Sequence, residues 1–207
     1  MPFLLDDDRD AELFEHFSDP DQNGDEYARL NAIAGEDISQ QIGFQVPEGY
    51  ELRMVKHPNA VTELEVFMLN HKTERVAYFN RVEKLDLHLD KVGDDKPVSQ
   101  VMIWRAVGRT GDGKATRDLV QAVFFNMLVD SYNIVVSDSE QTRDGHRMWE
   151  GLLLEAMESD ELIAAAGDIS NGHLYIIETE KQLNAQKKWL WGQKDFHRER
   201  VGVIAST

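Results

Sequence analysis

Between Val98 and Val129 an apolar run breaks at Gly108-Arg-Thr-Gly-Asp-Gly113, and a second apolar run follows at once. Gly111 and Gly113 let the backbone turn tightly and come close to a ligand. Where such a turn opens a helix, the unpaired N–H groups of the first turn point outward. With the helix dipole they suit a phosphate or pyrophosphate. Arg109, Lys114 and Arg117 add positive charge around the turn. A plain strand-to-helix connection would use the same residues. The turn is no Walker loop, because Gly-Lys-Ser/Thr does not follow at the required spacing. It is no Rossmann fingerprint either, because the strands before it read as antiparallel.

A second polar cluster lies at Ser137-Asp-Ser-Glu-Gln-Thr-Arg-Asp-Gly145, directly after the short apolar run Asn133–Ser137. The carboxyl end of a buried strand is where α/β folds place their sites. Ser139, Glu140 and His146 are the candidate catalytic residues there, with Glu140 or His146 able to take a proton from an amine. A capping loop with Thr142 or Asp144 at an N-cap explains the same stretch.

Metal chemistry has weaker support, and no metal is expected. Asp19-Pro-Asp-Gln-Asn-Gly24 matches the first half of a calcium loop, but Leu30 stands where the bidentate glutamate should be. A turn between two short helices accounts for these residues equally well. Asp86, His88 and Asp90 share one face of an alternating stretch, which also reads as the polar side opposite Leu85, Leu87 and Leu89. With no cysteine, a disulfide framework, a thiol nucleophile and every cysteine-containing zinc site are excluded.

The periodicity supplies the elements that would position these groups. Residues 8–17 and Asp25–Ala34 read as short amphipathic helices, with Ser18-Asp19-Pro20 ending the first. Strands follow at Glu51–His57, Glu63–Leu69, Val76–Asp90 and Val98–Val107, consecutive enough for an antiparallel meander. Then come a buried helix over Ala115–Ser131, a strand at Asn133–Ser137 and a helix over Thr142–Glu158. Strands at Leu162–Ala166 and His173–Glu178, a helix at Glu180–Trp191 and a strand at Val201–Ala205 complete the chain. Trp189 and Trp191 are expected to anchor the last helix on the sheet. This order implies a mixed α/β domain.

The chain has 207 residues, with 22 Lys and Arg against 38 Asp and Glu, for a net charge of −16. Residues 1–40 carry twelve acids and two bases, so most of the excess lies there. The expected organisation is an acidic helical arm over 1–40 and an α/β domain over 41–207. The arm could engage a protein partner with a basic surface. Direct nucleic-acid binding is not expected without a broad basic face. No apolar run approaches ~18 residues, so no membrane partner is expected. The start lacks the basic region of a signal peptide, which points to a cytoplasmic protein.

At Arg109-Thr-Gly-Asp-Gly113-Lys-Ala115 the chain resembles the GNAT family of acyl-CoA N-acyltransferases. In that family a strand carries Arg/Gln-x-x-Gly-x-Gly/Ala into a helix after an antiparallel meander. Gly113 and Ala115 match the last two motif positions, and Arg109 stands one residue further upstream than the pattern. The resemblance covers residues 50–180 in element order. It implies a mainly antiparallel sheet flanked by helices and N-acetyl transfer from acetyl-CoA to an amine. The cofactor would lie on Val107, Arg109, Gly111, Gly113, Lys114 and Ala115. Trp149 stands where many members carry a tyrosine that protonates the leaving thiolate, and indole cannot act as that acid. Ser137–Trp149 also looks like segments of bacteriophage-encoded proteins of this general fold. The alternative expectation is therefore a non-catalytic GNAT-like phage protein, a host-factor inhibitor or virion component.

Overall fold

A computed structural model of the chain describes residues 7–58, 60–93, 95–136, 143–168, 170–171, 173–191 and 200–207. In chain order the elements begin with α1 (Asp7–Ser18), α2 (Pro20–Asn31), β1 (Tyr50–Lys56), β2 (Thr62–Asn70), β3 (Arg75–Lys84) and β4 (Val98–Arg105). After these come α3 (Gly111–Ala115), α4 (Leu119–Val123), a π-helical turn Phe124–Leu128 and α5 (Val129–Ser131). The rest are β5 (Asn133–Val136), α6 (Arg143–Met157), β6 (Leu162–Asp168), β7 (His173–Ile176), α7 (Glu180–Trp191) and β8 (Arg200–Ser206). The eight strands hydrogen-bond in the order β1-β2-β3-β4-β5-β8-β6-β7. β1/β2, β2/β3, β5/β8, β6/β8 and β6/β7 pair antiparallel, while β4 and β5 pair parallel. The fold is mixed α/β with a mostly antiparallel sheet. Among the described residues, no helix is long and apolar enough to cross a membrane.

The chain gathers into two compact units, one holding α1 through Glu83 with 101–127, the other holding 84–100 with 128–207. In the first unit the helix pair begins earlier than its periodicity implied. Asp19 is the N-cap of α2, with Oδ1 accepting from the N–H groups of Asp21 and Gln22 at 3.0 Å each. Pro20 fits the first helical position, where its fixed φ is an advantage, so Asp19-Pro20 starts a helix here. The calcium-loop look-alike therefore lies in a helix and not in a loop. Its Asn23 is buried: Nδ2 donates to the carbonyls of Phe17 at 2.8 Å and Val76 at 3.2 Å, and Oδ1 accepts from Val76 N–H at 2.7 Å.

Phe17 and Leu30 are buried with Phe67, Phe79 and Met102 of the strands. Phe17 lies 5.1 Å from the Phe79 ring and 5.0 Å from Trp104. The expected boundary at residue 40 thus falls inside this unit. The acids Glu12, Glu15, Asp19, Asp21 and Asp25 stay on the exposed side of the pair.

The helix expected over Ala115–Ser131 starts at Gly111 and is broken at 116–118. Thr116 is fully buried, and its hydroxyl donates to the carbonyls of Ala106 at 3.3 Å and Asp112 at 3.1 Å. A side chain that serves the backbone this way competes with a regular helix. β3 likewise ends at Lys84, short of Asp90. Leu85 and Leu89 still turn inward and Asp86 and His88 outward, so the alternation records burial without a strand.

In the second unit Leu85, Leu89, Val135, Ala165, Val201 and Val203 share one core. α6 buries Trp149, Leu152, Leu153 and Ala156, the stripe expected of helical spacing. α7 begins with a capping box. Thr179 Oγ1 accepts from Gln182 N–H at 3.2 Å, and Gln182 Oε1 accepts from Thr179 N–H at 2.9 Å. Leu190 is buried, and the Arg200 guanidinium lies 4.9 Å over the Trp189 ring. Trp191 ends the helix, and its side chain lies outside the described residues.

Candidate functional site

The glycine turn lies wholly in the first unit. After β4, the Ala106 N–H donates to the Ala77 carbonyl at 2.9 Å. Gly108 then takes φ +133° and Gly111 φ +56°, left-handed conformations that L side chains rarely adopt. Gly113 is buried against its own loop. A Cβ there would stand 2.5 Å from Gly108 N and from the Val107 carbonyl carbon. Its lack of a side chain therefore serves closure of the turn. Thr110 caps α3 in extended conformation without a side-chain hydrogen bond. At five residues α3 has little dipole to offer, unlike the long helix the spacing implied.

Asp112 anchors this turn. Its Oδ1 accepts from the Tyr50 hydroxyl and from Asn70 Nδ2, each at 2.7 Å. Asn70 is buried, and its Oδ1 accepts from the N–H groups of Lys72 at 3.0 Å and Thr73 at 3.3 Å. The start of β1, the end of β2 and α3 are thus joined through one carboxylate. Burial, and then the hydrogen bond and charge of Asp112, push the Tyr50 phenol up to about 12.

Asp112 is the one acid from Ala106 to Arg117. Arg109, Lys114 and Arg117 are exposed and form no ion pair among the described residues. Val107 is 69% exposed, an apolar side chain standing in solvent next to the cations. Ala115 is half-buried. The six residues named as cofactor-binding lie together on this turn, with Gly113 beneath the surface and the others at it.

The candidate catalytic residues are elsewhere in the chain. Ser139 and Glu140 lie outside the described residues. His146 belongs to the helical backbone of α6, and its side chain lies outside the described residues. Trp149 is buried. Among the described residues, no three His, Asp or Glu side chains converge as a metal site. Asp90, one of the three residues on the alternating face with Asp86 and His88, accepts a hydrogen bond from His173 Nδ1 at 2.9 Å.

Sequence reasoning missed a second constellation. Glu51 from β1, His71 from the turn after β2 and Tyr27 from α2 form a hydrogen-bonded chain. His71 Nε2 is 2.9 Å from Glu51 Oε2, and His71 Nδ1 is 2.9 Å from the Tyr27 hydroxyl. Arg53 grips the same carboxylate, with Nε donating to Oε1 and Nη2 to Oε2 at 2.7 Å each. These bonds hold Glu51 below the usual carboxylate range, the Arg53 hydrogen bonds first and burial opposing them. No local motif announces it, because three separate elements contribute one residue each.

No protein-family model, no curated protein and no solved structure matches the chain.

Proposed function

We propose that the turn from Val107 to Arg117 binds the phosphate-bearing end of acetyl-CoA and that the chain is a GNAT-like N-acetyltransferase acting on an amine. The observation that carries this reading is the sorting of charge on the turn. Among the described residues the three exposed cations pair with no acid, and Asp112, the one acid from Ala106 to Arg117, is held by Tyr50 and Asn70. In a chain of net charge −16, such a patch retains its attraction for polyphosphate. Arg109, Lys114 and Arg117 would hold the phosphates, and Val107 offers an apolar surface at the strand end. The bound cofactor would supply an acyl group as a thioester. Ser139, Glu140 and His146 are the proposed proton-handling residues for the acceptor amine. Calorimetric titration with acetyl-CoA tests the binding; the absence of both heat and a thermal shift at millimolar ligand would sink this reading.

A second reading is favoured by Trp149, whose buried indole can supply no phenolic proton. In it the chain is a non-catalytic GNAT-like module, bacteriophage-encoded, that presents the exposed acids of α1 and α2 to a basic protein surface. Replacing Glu12, Glu15, Asp21 and Asp25 by serine then abolishes partner capture while the melting profile is kept. Undiminished capture would exclude the acidic face as the recognition element.

A further inference from the structure

We infer that Glu51, His71 and Tyr27 form a proton relay that makes Tyr27 a nucleophile toward activated acyl donors. The hydrogen bonds settle the tautomer. An ionised carboxylate only accepts, so His71 Nε2 carries the hydrogen it shares with Glu51. In the neutral ring Nδ1 then holds a lone pair, and the Tyr27 hydroxyl donates to it at 2.9 Å. This is the arrangement of base, orienting carboxylate and hydroxyl that activates oxygen nucleophiles.

Two further features support it. Arg53 also donates through Nη1 to the carbonyls of Asn31 at 3.1 Å and Ile33 at 3.0 Å, so the carboxylate is fixed from behind by a side chain that is itself tied down. The Tyr27 and His71 rings meet edge to face with centroids 5.9 Å apart. The relay is also accessible, because the His71 side chain is 38% exposed and the Glu51 side chain 41%. Among the described residues, Tyr27 from α2 and Glu51 from β1 hydrogen-bond to the imidazole, and Arg53 from β1 holds the Glu51 carboxylate.

The chemistry balances without a cofactor. The Tyr27 O–H bond breaks and its proton passes to His71 Nδ1. The phenolic oxygen forms a bond to the acyl carbon, and the bond from that carbon to the leaving group breaks. With p-nitrophenyl acetate the products are O-acetyl-Tyr27 and p-nitrophenolate, and His71 returns the proton to water.

The test is acetylation of the full chain by p-nitrophenyl acetate, mapped by peptide mass spectrometry and confirmed as phenyl ester by hydroxylamine release. Tyr175, 55% exposed on β7, is the internal reference. Tyr27 should acetylate about 100-fold faster than Tyr175, the usual scale of general-base assistance. His71→Gln should bring Tyr27 down to the reference rate without altering the melt. Glu51→Gln should slow Tyr27 acetylation about tenfold while the Tyr175 rate stays the same, and added imidazole should restore Tyr27 acetylation in His71→Gln, which a merely structural role would not allow. Equal rates at the two tyrosines, an unchanged Tyr27 rate in His71→Gln or Glu51→Gln, or no rescue by imidazole would each overturn the relay.

Discussion

The Tyr50 hydroxyl donates to Asp112 Oδ1 at 2.7 Å, and that bond engages the one acid from Ala106 to Arg117. It also gives Tyr50 an alkaline signature. The phenol of an unfolded tyrosine loses its proton near ~10, whereas folding pushes Tyr50 up to about 12. Its contribution to stability is therefore complete below the unfolded value and is lost as pH rises through the folded one. Tyr50→Phe should flatten this alkaline decline. Near neutral pH it should cost only about 1–2 kcal/mol, because Asn70 still donates to Asp112. Urea denaturation at neutral pH and at about pH 11 checks both effects; an equally steep decline in the variant would assign it to another group.

Removing the exposed cations separates binding from folding. Arg109→Ala, Lys114→Ala and Arg117→Ala should each weaken acetyl-CoA binding about tenfold, the scale of a charge-assisted contact. None should change unfolding free energy by more than about 0.5 kcal/mol, since among the described residues the three side chains carry no ion pair to lose. Titration at two salt concentrations completes the test, because electrostatic binding must weaken with ionic strength.

The two glycines of α3 should respond differently to the same methyl group. At Gly113 a Cβ meets Gly108 N and the Val107 carbonyl carbon at 2.5 Å and the Val107 oxygen at 2.7 Å. These are backbone atoms and cannot swing aside, so Gly113→Ala should cost about 1–3 kcal/mol. At Gly111 a Cβ meets open space, but φ is +56°. Gly111→Ala should therefore cost only about 1 kcal/mol of backbone strain. Denaturant midpoints that rank the two in the opposite order would refute this account of the turn.

Phe17 tests whether the acidic helices belong to the core. Its ring is buried against Phe79 and Trp104. Phe17→Ala should lower stability by about 3–5 kcal/mol, the usual cost of emptying an aromatic core position. A loss below about 1 kcal/mol, the range of a surface residue, would mean that the helices fold independently of the strands. Thermal melting followed by circular dichroism reads the difference.

Much of the architecture was legible because burial leaves a periodic record. The stripe Trp149, Leu152, Leu153 and Ala156 marked α6, and α7 matched its expected span from Glu180 to Trp191. The record failed where one residue served the backbone. Thr116, bonded to the carbonyls of Ala106 and Asp112, breaks the expected helix, and Asp19 with Pro20 both ends α1 as expected and starts α2 at once, ahead of the Asp25 start that the spacing implied. Leu85, Leu87 and Leu89 alternate as a strand would, yet the ladder ends at Lys84. Period two reports which side is buried and cannot report whether neighbours share hydrogen bonds.

The sequence by itself determined the mixed α/β class, the order of the elements and the position of the basic glycine turn. All three follow from local composition and spacing. Tertiary structure decided what those residues face. Asp112 meets partners 62 and 42 residues away, and Tyr27 meets His71 across 44. Such pairs are set by strand register and helix docking, which bring distant side chains within hydrogen-bond reach and which no short window of sequence encodes.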